Sequence, residues 1–198
     1  MEQLESLDSL SLREKKKYSE MPENWKLQPL CCLSDISEEE VYYAALEGDK
    51  GPDWAVLRQP KAFAIYLLNK KGEEVLYFKK HVGLFADKLE IFDASENLLG
   101  SVRKQGSSKI KIQFQTLDAG GKVLYGIEGR PEDLETFHIL KGTVKGIVAV
   151  GRISKRPTPL VEEGISRKDH FGIVFPFAAD TTEKGVLLGA LFLIDLTF

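Results

Sequence analysis

The sequence predicts a mainly β protein, a closed antiparallel barrel of eight to twelve strands enclosing one hydrophobic C-terminal α-helix. Three observations predict it. The first is the tail, in which every residue from Gly185 to Ile194 is apolar or glycine. A helix that is apolar all round must be surrounded by protein or by lipid. A bilayer span asks for about 20 apolar residues, and Asp195 ends this run early, so the helix is expected inside its own domain. The second is a series of hairpins whose turns begin at positions 69, 93, 118 and 141, a spacing of roughly 24 residues that marks one hairpin per structural repeat. The third is alternation. Ile110, Ile112, Phe114 and Thr116 interleave with Lys109, Lys111, Gln113 and Gln115, which gives one buried face and one wet face. Up-and-down strands in that number close on themselves, because an open edge invites aggregation.

In chain order, residues 1–38 stand apart. Acidic residues, the run Arg13-Glu14-Lys15-Lys16-Lys17, and Pro22 and Pro29 predict a flexible N-terminal arm whose end, Trp25 to Leu33, docks on the domain formed by residues 39–198. Val41 to Ala45 reads as a strand, and Gly48 to Pro60 as a loop. Ala62–Leu68 turns at Asn69 into Glu74–Phe78, Leu89–Phe92 turns at Asp93 into Leu99–Lys104, and Ile110–Leu117 turns at Asp118 into Val123–Glu128. Thr136–Leu140 is expected to turn at Lys141-Gly142 into Val144–Ile153. Asp180 is placed to cap the helix, with Glu183 bonding back to it as a capping box. Asp195 is expected to be structural and to pair with a barrel side chain.

Composition sets limits on function. The formal net charge of −3 gives no global attraction to nucleic acid, so binding to an anionic surface must come from a local patch. Met1 to Leu12 has no apolar core of a signal peptide. The two cysteines, Cys31 and Cys32, are adjacent and make no disulfide framework. Together these predict an intracellular protein. Phosphate-loop, dinucleotide, serine-hydrolase and zinc-protease motifs are absent. The histidines His81, His138 and His170 are far apart in sequence. No hydrolase or transferase is indicated, and the protein is read as a non-enzyme.

Asp169-His-Phe-Gly-Ile-Val-Phe-Pro-Phe177, followed by Leu188-Gly-Ala-Leu-Phe-Leu-Ile-Asp195, resembles the C-terminal signature of the phospholipid scramblase family. Val150-Gly-Arg-Ile-Ser-Lys155, the hairpin from Leu89 to Val102 and the strand Val41–Ala45 resemble further segments of that family. The family is grouped with tubby-like proteins, so the resemblance implies a barrel of about 12 strands around a central helix. It also implies calcium-linked transbilayer movement of phospholipids at the plasma membrane. Laid onto the family's acidic calcium segment, residues Arg167 to Ala178 keep one acid, Asp169, with Arg167 and Ala178 at the other acidic positions. Calcium takes six to eight oxygens, so this segment is expected to be degenerate. The family's acylated cysteine cluster is missing, which leaves Cys31 and Cys32 as the places where palmitate could attach.

Arg103 and Lys104 end one strand, and Lys109 and Lys111 start the next. They are expected to cluster at one barrel edge as a seat for phosphate head groups. Arg152, Lys155 and Arg156 form a second basic spot, readable as a nuclear-import signal. The expected partners are anionic phospholipids at the cytoplasmic face of a membrane, together with protein partners. The alternative is a soluble lipid-binding adaptor, or a nuclear or cytosolic interaction module, without scrambling activity.

Overall fold

The computed structural model describes residues 2–14, 27, 29–46, 63–81, 88–156 and 170–198. A single helical turn, α1 (Glu2–Glu5), leads into β1 (Ser9–Glu14), β2 (Pro29–Ser34) and β3 (Glu40–Leu46). Then follow β4 (Phe63–Asn69), β5 (Glu74–Lys80), β6 (Lys88–Asp93), β7 (Leu98–Ser107), β8 (Ile112–Asp118), β9 (Val123–Arg130), β10 (Asp133–Thr143), β11 (Gly146–Arg156) and β12 (His170–Val174). The C-terminal helix α2 spans Thr181–Thr197. Each strand pairs with its sequence neighbours, and β12 pairs antiparallel with β1, which closes a twelve-stranded barrel.

The arm expected over residues 1–38 is corrected here. Its described parts are structural: β1 and β2 are staves of the wall, with Leu10, Leu12 and Leu33 buried. Without them β12 and β3 would present open edges. Lys15 to Lys17, Trp25 and the whole of the expected loop Gly48–Pro60 lie outside the described residues.

The turns β2–β3, β4–β5, β6–β7 and β8–β9 all fall at one pole and share one recipe. Asp35, Asn69 and Asp93 each use Oδ1 to accept the amides two and four residues on, at 2.8–3.0 Å. Asp118 accepts the amide of Lys122 at 2.8 Å. The fourth residue of each turn has positive φ: Glu38 (64°), Gly72 (77°), Glu96 (62°) and Gly121 (85°). The short polar side chain replaces missing backbone partners, and the left-handed residue reverses the chain. The turn expected at Lys141-Gly142 instead comes later, between Thr143 and Gly146 (φ 122°). Ile110, expected inside, is exposed, because β8 begins only at Ile112 and residues 108–111 form a turn closed by Ser108 and Lys111.

The late turn has a structural consequence. β10 pairs with β9 only up to Leu140, and β12 pairs with β11 only from Arg152 onward. Residues 141–143 and 146–148 therefore pair only with each other, as a two-stranded ribbon beyond the last rungs shared with β9 and β12.

Helix α2 runs down the barrel, and every residue from Lys184 to Leu196 is buried. Phe192 meets Phe78 edge-on at 5.0 Å. Each enclosed Leu or Phe contributes about 1.5–3 kcal/mol of transfer free energy. The wall comes very close where it must: a Cβ on Gly100 would lie 2.3 Å from the Leu117 carbonyl oxygen and 2.8 Å from Val186 Cγ2. Asp180 caps the helix by accepting the Glu183 amide at 2.8 Å. The Glu183 carboxylate does not complete the expected box; it accepts the Tyr125 hydroxyl at 2.8 Å, tying the helix to β9. Asp195 is buried, and its carboxylate accepts the Phe171 backbone amide at 3.4 Å.

Candidate functional site

The pole opposite the tight turns surrounds the C-terminal end of α2. There Phe198 packs among Phe114 and Phe137, and Phe137 also meets Phe171 at 6.0 Å. Half-buried lysines lie across rings at this mouth. Lys104 Nζ is 5.9 Å from the Phe198 centroid, Lys155 is 5.7 Å from Phe171, and Lys80 is 5.4 Å from Phe63. Their stems cover apolar surface while their charges stay at the rim. They also complement the negative end of the helix dipole.

The expected head-group residues are dispersed rather than gathered. Arg103 lies on the outer wall and donates to Gln115 Oε1 at 3.0 Å. Lys104 turns to the mouth. Lys109 is on the exposed β7–β8 turn. Lys111 follows it and pairs with Glu128 at 3.0 Å. Hydrogen bonds from Gln113 and Lys111 hold the Glu128 carboxyl below the usual range. On the neighbouring wall, burial pushes the Glu90 carboxyl up, but the bonds from Lys88 and His81, each 2.7 Å, outweigh it and the net direction is down.

Arg152 is exposed on β11, while Lys155 is half-buried against Phe171. The backbone of Arg156 pairs with His170 at the end of the same strand. A strand held on both sides is not the extended, accessible peptide that an import receptor reads. Cys31 and Cys32, the expected palmitate positions, lie in β2 at 1% and 3% exposure, within the barrel wall. Asp169 and Arg167 lie outside the described residues, and Ala178 is exposed with no ligating side chain. Among the described residues no cluster of three or more His, Cys, Asp or Glu is placed to hold a metal ion.

Lys184 has a role that no motif signals. It is buried in the helix, and its ammonium donates to the carbonyls of Leu4 (3.1 Å), Glu5 (2.8 Å) and Leu7 (2.9 Å). It stitches α1 over the tight-turn pole. It ends the polar first turn Asp180 to Lys184, where a lysine reads as solvent-facing, so the sequence carries no signal for its burial.

The mouth can attract an anion to its rim; it assembles no described nucleophile or acid–base pair. Among the described residues no helix is long and apolar enough to cross a membrane. The barrel wall is also inverted relative to membrane barrels, which turn an apolar band outward: here Ile112, Phe114 and Thr116 are buried while Lys111, Gln113 and Gln115 face out.

A family model described as Scramblase matches residues 1–198. The chain is 51% identical over 49 residues to phospholipid scramblase 2 of Bos taurus, covering 25% of this chain and 17% of that protein. It is 47% identical over 49 residues to phospholipid scramblase 1 of Homo sapiens, covering 25% and 15%. The matched stretch therefore spans less than a fifth of the relatives' own length. An X-ray structure of a protein from Arabidopsis thaliana aligns with TM-score 0.51 at 12% identity, over 92% of this chain and 88% of that one. That likeness shows the barrel fold alone.

Proposed function

We propose, from the premise that this chain belongs to the scramblase family, that it works on phospholipids from the membrane surface as a peripheral, non-enzymatic barrel. The observation that carries this reading is the burial of α2 from Lys184 to Leu196. A helix enclosed by its own barrel is not also a membrane span, because withdrawing it would empty the core. The protein then meets lipid with its outer surface. Cations standing on that surface attract anionic head groups at about 1 kcal/mol each near the membrane. Arg103, Lys104, Lys109 and Lys111 are retained as proposed contacts, with Lys109 on the exposed β7–β8 turn. The cytoplasmic face of a membrane is the proposed location.

The relatives' name points to transbilayer movement of phospholipid, calcium-linked in the family. A head group crossing about 30 Å of hydrocarbon needs a polar path, and the sealed helix lines none. The described part of the calcium segment does not fit the ion, since Ala178 stands at an acidic position, and no step is routed through it. Two experiments test the reading. Flotation with phosphatidylserine-containing vesicles should recover the wild type, and the Lys109→Glu, Lys111→Glu variant should float less. Purified protein in liposomes carrying a fluorescent lipid should leave the inner leaflet protected from an external quencher, with or without calcium. Leaflet exchange in that assay would overturn the surface mode in favour of a translocating protein.

A further inference from the structure

From Asn97 to Leu117 the chain carries no aspartate or glutamate, while Arg103, Lys104, Lys109 and Lys111 stand in that stretch, in a chain of net charge −3. Two serines, Ser107 and Ser108, lie among these cations, and both are exposed. Their hydroxyls differ. Ser108 Oγ is committed to the turn: it accepts the amides of Ile110 at 3.2 Å and Lys111 at 3.0 Å and donates to the Lys111 carbonyl at 3.3 Å. Ser107 makes no side-chain hydrogen bond among the described residues. The strand end that carries it is held on one side. β7 takes its last rung with β6 at Arg103, opposite Lys88, so among the described residues 104–107 pair with β8 alone. That ladder is itself irregular between Lys104 and Gly106, and a Cβ on Gly106 would meet nothing within 4 Å. The irregularity sets the facing. Lys104 pairs with Phe114 and Ser107 with Ile112, which are both buried residues of β8. Directly opposed residues share a face of the sheet, so Lys104 and Ser107 lie on the same side of β7.

We infer that Ser107 is a phosphorylation site, and that its phosphate switches off the head-group contacts around it. The modifying enzyme is a serine kinase that selects a cation three residues before and two residues after the acceptor, here Lys104 and Lys109. The inference rests on the surface reading above and supplies its regulation. In the transfer the γ-phosphoryl group of ATP moves to Ser107 Oγ: the Oγ–P bond forms, the bond to ADP breaks, and the hydroxyl proton leaves to the kinase's base. A neutral hydroxyl is replaced by about −1.5 to −2 charges. Lys109 is two residues away, at most about 7 Å between Cα atoms, inside the roughly 8 Å screening length of physiological salt. Lys111 is already answered by Glu128. Lys104 and Lys109 have no carboxylate partner among the described residues, and a phosphate on their own hairpin offers them charge-assisted hydrogen bonds. Those two ammonium groups are then neutralised before a lipid reaches them. Ser108 is the poorer acceptor, because its hydroxyl holds the turn. A kinase takes its peptide extended, so the strand end must open. Only the rungs Lys104 with Phe114, Gly106 with Gln113 and Ser107 with Ile112 stand in the way, and opening a strand end costs less than unfolding the barrel.

The test uses the full chain, the catalytic fragment of protein kinase C with ATP, and vesicles of phosphatidylcholine with or without phosphatidylserine. Mass spectrometry should place the phosphate on Ser107; Ser107→Ala should remove it and Ser108→Ala should keep it. The chain with phosphoserine installed at 107 should bind phosphatidylserine vesicles on the order of thirtyfold more weakly. Its melting temperature and its binding to phosphatidylcholine alone should be unchanged. Unphosphorylated Ser107→Ala should bind as the wild type does and lose the response to the kinase. Phosphate only at other hydroxyls, or none, overturns the site. Installed phosphoserine that leaves phosphatidylserine binding unmoved overturns the switch, and the surface reading stands. Wild type that does not bind phosphatidylserine vesicles overturns the surface reading and the switch with it.

Discussion

Helix α2 and the β10–β11 ribbon are both built from unbroken apolar sequence, Val186 to Ile194 in one and Ile147 to Val150 in the other, and the fold treats them oppositely. The helix is wrapped by the barrel and shows no apolar side chain to solvent until its last turn. The ribbon leaves its rungs with β9 at Leu140 and with β12 at Arg152, and its Val144, Ile147 and Val148 are exposed while Val150 packs back on the core. Hydropathy says that a segment gains by being covered; it does not say whether the cover comes from the same chain. For α2 it does; Val144 and Ile147 take no cover from the described part of the chain.

The largest effect that would separate the two regions is loss of a core ring. Phe192→Ala should cost about 3–5 kcal/mol in chemical denaturation and leave the vesicle affinity of the folded fraction unchanged. An unmoved midpoint would place the helix outside the barrel. Lys184→Met should follow at about 2–3 kcal/mol, because three carbonyls of the α1 segment lose their donor. Amide exchange should then rise first between Leu4 and Asp8.

Acid should act next. Glu90 and Glu128 have folded-state carboxyls below the usual range. Their contribution is therefore complete above the ordinary carboxylate pKa and is lost as pH falls through the lowered folded values. A thermal melt series from about pH 7 down to about pH 3 should fall in that window, and Glu128→Gln should flatten part of the fall.

A smaller gain is expected at a turn. Glu96 holds a positive φ without being glycine, so Glu96→Gly should stabilise by about 0.5–1 kcal/mol. It should also relieve Glu74, whose carboxyl is raised by burial and by the charge of Glu96. Smallest on stability, within about 0.5 kcal/mol, is Val144→Ser with Ile147→Ser, since both side chains are exposed. A large stability loss there would mean the ribbon is packed after all.

Much of the architecture was legible because its chemistry is local. Asn69, Asp93 and Asp118 bond amides within four residues of themselves, so those turns show in the sequence wherever the strands lie. Asp35 uses the same recipe, but it sat in a stretch read as an arm. The β10–β11 turn was misplaced because Lys141-Gly142 has turn composition, and only pairing with Val148 and Ile147 draws those residues into the strand. The head-group cluster was legible as a set of cations but not as a site. Arg103 and Lys104 project to opposite sides of one strand, and the partner of Lys111 is on β9.

By itself, the sequence determined that the tail must be covered, that its strands alternate, and that hairpins follow one another around a wall. Tertiary structure alone decided that β1 and β2 belong to that wall, through pairs such as Ser9 with Val174, that Cys31 and Cys32 are sealed, and that one apolar stretch is enclosed while another is left bare. The physical reason is range. Turn chemistry and alternation are read within a few residues, whereas closure and burial depend on partners at the far end of the chain that no short window contains.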